Sequence, residues 1–289
     1  MPQVELSAGV IDYQDTGGDG PVLVFAHGMP MNEKQWRKVV PLLEGYRCVL
    51  PTLPLGGHRQ PMRSDADLSH RGLARLLGEF LEDLDLQDCT LILNDWGGGQ
   101  FLVLEEGGHR VARMVLVACE AFDNFPPGPA KAAAAVCRAP GGVWLTVRLM
   151  GVSAFRKARN GYGGMSVQGI PDDLMDEWFA PARGSRAIRR DFAKFATSTP
   201  DRRTLLDWAE RLREYERPVL VVWATEDRLM PREHGYRLAE LYPRGRLIEI
   251  ANSSTLVPED QPEELAQEIT SFLLETGAPP SRSGQRPPS

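Results

Sequence analysis

The chain has 289 residues, enough for one large α/β domain with an insertion and a substantial buried core. Hydrophobic residues make up 42% and charged residues 25%, a balance too apolar for a disordered chain. The formal charge of -6 is spread over both signs without long blocks, so it singles out neither nucleic acid nor an anionic membrane as a partner.

Met1 to Val10 has no basic stretch followed by an apolar core, and no later run is long enough to span a bilayer. The expectation is a cytoplasmic monomer or homodimer acting on a small-molecule substrate, with no cofactor and no metal. Cys48, Cys89 and Cys119 each fall in an apolar run that reads as a strand, where a reduced thiol serves as a small filler.

In chain order, Val4 to Tyr13 reads as an antiparallel start. Val22 Leu23 Val24 Phe25 Ala26 is continuously apolar and ends at His27 Gly28, the pattern of a strand buried on both faces. Similar runs recur at Cys48 to Leu50, Leu91 to Leu93, Met114 to Ala118, Val219 to Trp223 and Leu247 to Ile250. Between them, apolar residues three and four apart (Trp36, Val39, Val40 and Leu43; Leu73 to Leu84; Leu265 to Leu273) predict helices with one face against a sheet. Alternating strand and helix predict an α/β fold with a mostly parallel sheet flanked by helices.

The alternation stops after Glu120. Residues 122–204 hold aromatic, Pro-Pro and Gly-Gly punctuated helical stretches and read as an inserted helical lid, with 1–121 and 205–276 forming the core and 277–289, rich in Gly, Pro and Ser, a disordered tail.

The sharpest local signal is Leu93 Asn94 Asp95 Trp96 Gly97 Gly98, directly after an apolar strand and directly before a helical pattern. That is the layout of a nucleophile elbow, in which small neighbours let the backbone turn sharply and the reactive side chain stands above the sheet edge. Here the reactive type is a carboxylate.

Asp-Trp-Gly at the elbow, with His27 Gly28 Met29 Pro30 after an earlier strand, resembles the epoxide hydrolases and haloalkane dehalogenases of the α/β-hydrolase fold, over roughly residues 3 to 275. The resemblance implies that Asp95 attacks carbon to give an ester, that the amides of Met29 and Trp96 form an oxyanion hole, and that Trp96 binds halide in a dehalogenase. It matches Asp227 to the family's acid, with Glu120 and Asp123 as a second place for one. Aligned on Val257 Pro258 Glu259 Asp260, the position of the family's histidine holds Thr255. A threonine hydroxyl cannot activate water near neutral pH, a service for which a positioned base contributes roughly 10²–10⁴-fold.

His58, in Pro54 Leu55 Gly56 Gly57 His58 after the Cys48 strand, is the candidate stand-in base, while His70, His109 and His234 receive no role. His27, Glu120, Tyr162, Trp178 and Thr255 join Met29 and Trp96 as candidate substrate contacts. Three functions remain open: an enzyme using Asp95 as acid or base in a non-hydrolytic step on a bulky apolar molecule in a biosynthetic pathway; an epoxide hydrolase or dehalogenase with Asp95 as nucleophile; and a ligand-binding protein without chemistry.

Overall fold

The computed structural model describes residues 1–159 and 161–281. Eight strands form one sheet: β1 (Gln3–Leu6), β2 (Gly9–Asp15), β3 (Val22–Ala26), β4 (Arg47–Pro51), β5 (Cys89–Asp95), β6 (Val111–Cys119), β7 (Val219–Ala224) and β8 (Gly245–Ile250). Their order is β1-β2-β4-β3-β5-β6-β7-β8; β1 and β2 pair antiparallel, β2 runs antiparallel to β4, and β4 through β8 are parallel. Every residue of β5 and β7 is buried, which is why those runs carry no polar alternation.

Ten helices accompany the sheet among the described residues: α1 (His70–Asp83), α2 (Gly128–Cys137), α3 (Gly142–Leu149), α4 (Ser153–Arg156), α5 (Asp172–Gly184), α6 (Arg186–Ala196), α7 (Arg202–Arg211), α8 (Arg232–Leu241), α9 (Val257–Asp260) and α10 (Pro262–Glu275). Ser69 starts α1 by accepting a hydrogen bond from the Gly72 amide at 3.1 Å, and Leu73, Leu76, Leu77, Phe80 and Leu81 form its buried face.

Two segments depart from the expected helices. In place of a helix through Trp36 to Leu43 there are two short 3₁₀ turns, Glu33–Trp36 and Val40–Leu42, and Pro41 has no amide to continue a helical ladder. After the elbow, Gly97–Leu104 is likewise 3₁₀, in keeping with the poor helix propensity of Gly97, Gly98 and Gly99. The tail also differs. Ala278 is buried and the Ser281 amide donates to Gly45 O at 2.8 Å, so Gly277 to Ser281 packs on the core; residues 282–289 lie outside the described residues.

Helices α2 to α7 all fall between β6 and β7. Their apolar cluster, built on Met175, Trp178, Phe179 and Phe192, also takes in Met31 and Leu256 from the loops at the sheet's carboxyl edge. A buried polar clamp joins the same two layers. The Gly56 amide donates to His58 Nδ1 at 3.2 Å, which leaves the ring proton on Nε2, facing Asp191 Oδ2 of α6 at 3.4 Å. Asp191 also accepts from the Met62 amide at 2.8 Å and from Arg190 Nε at 2.9 Å.

Asp191 is fully buried, so removing its carboxylate strands the buried donors His58 Nε2 and the Met62 amide and frees Arg190. Asp191→Ala is expected to lower unfolding free energy by about 3 kcal/mol in urea titrations, the usual scale for breaking a buried charged network. A loss below about 1 kcal/mol would show that the clamp does not hold α6 to the core.

Candidate active site

Asp95 ends β5 with φ at 65°, a left-handed conformation that costs a non-glycine residue roughly 1 kcal/mol or more. The turn is held by its surroundings. A Cβ on Gly28 would collide with the Asp95 carboxylate, and one on Gly97 with the Glu120 carbonyl, so glycine at both positions is what allows three segments to close around one side chain.

A buried amide relay fixes the same point. The Gly28 amide donates to Gln35 Oε1 at 2.7 Å, Gln35 Nε2 bonds Asn94 Oδ1, and Asn94 Nδ2 donates to Val117 O at 2.8 Å and Thr255 O at 2.7 Å. Asn94, adjacent to the reactive carboxylate, thus ties β5 to β6 and to the loop after β8. Sequence spacing did not single out either amide side chain.

Beside the elbow lies a cavity of about 170 Å³ between the sheet's carboxyl edge and the inserted helices. Its wall brings together Met29, Asp95, Trp96, Glu120 and Tyr162, all expected there. The rest is apolar or weakly polar, with Phe155, Phe192 and Phe195 among the aromatics, and no Lys or Arg lines it among the described residues. The Met29 amide donates to Asp95 Oδ2 at 3.2 Å. Asp95 Oδ1 has no hydrogen-bond partner among the described residues and is not sealed off, so it opens on the cavity. The Trp96 amide bonds back to Asn94 O at 2.9 Å, so of the two expected oxyanion donors only Met29 reaches the carboxylate.

Five expected residues, His27, His58, Trp178, Thr255 and Asp227, are not on this wall. His27 donates from Nδ1 to Gly28 O at 2.9 Å and accepts the Leu53 amide on Nε2 at 2.8 Å, so its ring is a buried brace between loops. His58 is spent on Asp191 as described and is not on the cavity wall, which removes the ground for making it the stand-in base. Trp178 packs in the inserted helices with Nε1 donating to Asn32 Oδ1 at 3.0 Å. Thr255 is fully buried, and its Oγ1 donates to Asp227 Oδ1 at 3.0 Å.

Asp227 sits behind the wall, where its Oδ1 also accepts the amides of Leu229 at 2.8 Å and Met230 at 3.0 Å, while Oδ2 is buried without a partner. Asp123, the alternative acid, pairs with Arg202 at 2.7 Å near the surface.

One cavity residue escaped the sequence reading. His70, the first residue of α1, is buried on the wall between Phe125 and Phe195 and accepts the Trp96 indole N–H on Nδ1 at 3.2 Å. Because an indole nitrogen only donates, the neutral ring must carry its proton on Nε2, which has no partner among the described residues. Its only signal in the sequence was a histidine directly after a helix-capping serine, which does not distinguish a cavity wall from a surface turn.

The electrostatics follow from burial without a countercharge. Desolvation lifts Asp95 from 3.8 to about 7, against the opposing Met29 bond and with help from the charge of Asp227. Burial likewise lifts Asp227 to about 6 and Glu120 well above the usual range, the latter with help from Asp95. His70 is lowered to about 4 by burial and is neutral at pH 7.

The folded value of Asp95 lies above its ordinary 3.8, so the fold favours the protonated form. That contribution is complete below about pH 4 and is lost as pH rises through about 7. Asp95→Asn, which keeps an acceptor for the Met29 amide, should therefore stabilise the protein at pH 8 by on the order of 2 kcal/mol and by much less at pH 4. Equal effects at both pH values in thermal melts would show that Asp95 is not held near neutrality by burial.

Comparison with known proteins places this geometry. The model of the "Alpha/beta hydrolase family" matches residues 23–268. A haloalkane dehalogenase of Mesorhizobium japonicum is 32% identical over 96 residues, a match spanning 33% of this chain but only 30% of that protein. A 2-hydroxy-6-oxononadienedioate/2-hydroxy-6-oxononatrienedioate hydrolase of Cupriavidus pinatubonensis is 25% identical over 248 residues, covering 82% of this chain and 81% of the relative. Among solved structures, a haloalkane dehalogenase from Bradyrhizobium elkani superposes with a TM-score of 0.77 at 18% identity, over 95% of this chain and 97% of that one, a likeness of fold. With a family match running from β3 into α10, this chain belongs to the alpha/beta hydrolase family.

Proposed function

We propose that the protein is an enzyme of this family in which Asp95 moves protons on an apolar small molecule, in an isomerisation, elimination or ring-opening step that does not pass through hydrolysis. The observation that carries the reading is the hydrogen bond from Thr255 to Asp227, since the acid that would orient a water-activating imidazole is engaged by a hydroxyl instead. An ester formed on Asp95 would have no imidazole oriented by Asp227 to clear it, and the Nδ1 of His70 is taken by the Trp96 indole. A carboxyl near pH 7 suits proton transfer at neutrality, where both of its forms are populated.

Two features define the ligand in this reading. Apart from Asp95, Glu120 and His70 the wall is largely apolar, and no Lys or Arg lines it among the described residues, so the ligand is not an anion and is largely hydrocarbon. The His70 Nε2–H, which has no partner among the described residues, is the donor left for a ligand oxygen, since the Met29 amide is given to Asp95 Oδ2. The helices from residue 122 to 204 act as the lid that excludes water.

A second reading, Asp95 as nucleophile, draws support from one detail and from the dehalogenase relatives. The Met29 amide holds Oδ2 and leaves Oδ1 open to the cavity, as attack on carbon requires. Against halide displacement, the Trp96 indole N–H is already given to His70.

The two readings separate experimentally. Incubating the protein with 2-tetralone in D₂O should give exchange of the protons next to the carbonyl that disappears in Asp95→Asn, followed by proton NMR. No Asp95-dependent exchange, together with a lasting mass increase on Asp95 after exposure to styrene oxide or 1-bromohexane, would overturn proton transfer in favour of the nucleophile. Thr255→His should release such an adduct with solvent ¹⁸O in the product if Asp227 orients the new ring.

A further inference from the structure

The net charge is spread over both signs along the chain as a whole, but one stretch carries a single sign. Residues 124–171 contain six cations, Lys131, Arg138, Arg148, Arg156, Lys157 and Arg159, and no acidic residue. Only two of the six find an acid: Arg156 pairs with Asp176 and Lys157 with Asp172, both of α5. Lys131, Arg138 and Arg159 form no ion pair among the described residues, and Arg148 instead lies over the Trp144 ring at 5.3 Å.

The same stretch gathers the protein's exposed apolar surface. Of the eleven large apolar side chains exposed among the described residues, seven fall between Val136 and Val167. Trp144 is 55% exposed, Leu145 46%, Val152 50% and Phe155 42%. They adjoin one another along the chain fold. Leu145 and Leu149 are one turn apart on α3, and successive backbone bonds Leu149 to Val152 (2.9 Å) and Val152 to Phe155 (3.0 Å) carry the face into α4. A soluble surface rarely groups such residues without a partner.

We propose that the outer face of α2, α3 and α4 seats on an anionic lipid bilayer, with Trp144, Leu149, Val152 and Phe155 entering the acyl boundary while Arg138, Arg148 and Arg159 meet the headgroups. The charge is complementary to such a surface, and large apolar side chains interleaved with cations are the composition that lies in a membrane interface. No helix among the described residues is long and apolar enough to cross a membrane, so the contact is peripheral.

The inner side of these helices lines the cavity through Ala134, Cys137, Thr146 and Met150, and Phe155 belongs to both faces. The docked surface is therefore the roof of the apolar cavity. An apolar ligand dissolved in the bilayer would be taken up across that roof, which favours lipid over an acidic protein as the occupant.

Vesicle co-sedimentation tests this without a known substrate. The full chain is expected to bind vesicles of phosphatidylcholine with phosphatidylglycerol roughly tenfold more tightly than phosphatidylcholine alone, with the difference falling at high salt. Trp144, the sole tryptophan among the exposed large apolar residues, should shift its fluorescence to the blue on binding, a shift that Trp144→Phe removes while binding persists. Arg138→Glu with Arg148→Glu should abolish the anionic preference, whereas Arg203→Glu, an exposed cation on α7, should leave it unchanged. Melting temperatures of all variants report that the fold is kept. Failure to bind either vesicle, equal loss with Arg203→Glu, or a solution dimer that Trp144→Asp dissociates would overturn the assignment, the last giving the face to a second copy of the chain. Because the readout is binding, its failure leaves the chemistry proposed for Asp95 standing.

Discussion

A carboxylate held in a left-handed turn, inside an apolar cavity that offers it no cation, is the constraint around which the molecule is arranged. The backbone at Asp95 is strained, and strain persists only where neighbours over-determine it. Here they do so from three sides: Gly28 lets the β3 loop touch the carboxylate, Gly97 lets the turn close on Glu120, and Asn94 binds the carbonyls of Val117 and Thr255. Each of these would be a wasteful arrangement for a loop whose only task was to connect a strand to a helix.

The absence of a countercharge has a second consequence. Asp95, Asp227 and Glu120 are all displaced toward the neutral form, each primarily by desolvation; the charge of Asp227 adds to the shift of Asp95, and that of Asp95 to the shift of Glu120. The three do not all ionise together at neutral pH, so the group whose protonation a ligand alters shifts its neighbours as well. Histidines follow the same rule. His27 and His70 are lowered to about 4 by burial, and His58 is lowered by burial despite the Asp191 carboxylate opposite it. Burial biases these three imidazoles toward the neutral form, in which each serves as a hydrogen-bonding brace.

How much of this was legible in the sequence depends on the range of the interaction that fixed it. Strands β3 to β7 were legible because burial on both faces forces continuous apolar runs, while the half-buried β8 showed only in its Leu247 Ile248 pair and Ile250; the elbow was legible because its strain demands Gly97 and Gly98 beside Asp95. Short-range misreadings arose where a local breaker outweighed apolar spacing, at Pro41 and at Gly97 to Gly99. The long-range pairings were not legible. His58 meets Asp191 across 133 positions and Trp96 meets His70 across 26, and no periodicity encodes such distances. The tail misled for a related reason: its composition is that of a solvated segment, yet Ala278 and Ser281 find partners on the core.

The Trp96 to His70 bond bears most directly on what the cavity accepts. A halide leaving group is stabilised by N–H donors aimed at it, and the indole N–H of Trp96 is committed to an imidazole nitrogen instead. Freeing it would leave His70 Nδ1 buried without a donor, a penalty of about 1–3 kcal/mol that the halide would have to offset inside a cavity already crowded with carboxyls. A neutral oxygen asks for less. The Nε2–H of the same imidazole, without a partner among the described residues, can be given to it with the Trp96 bond intact, and the indole, by donating to Nδ1, fixes the tautomer that makes this possible. On that physical ground the wall is better matched to a carbonyl, ether or epoxide oxygen than to a departing anion.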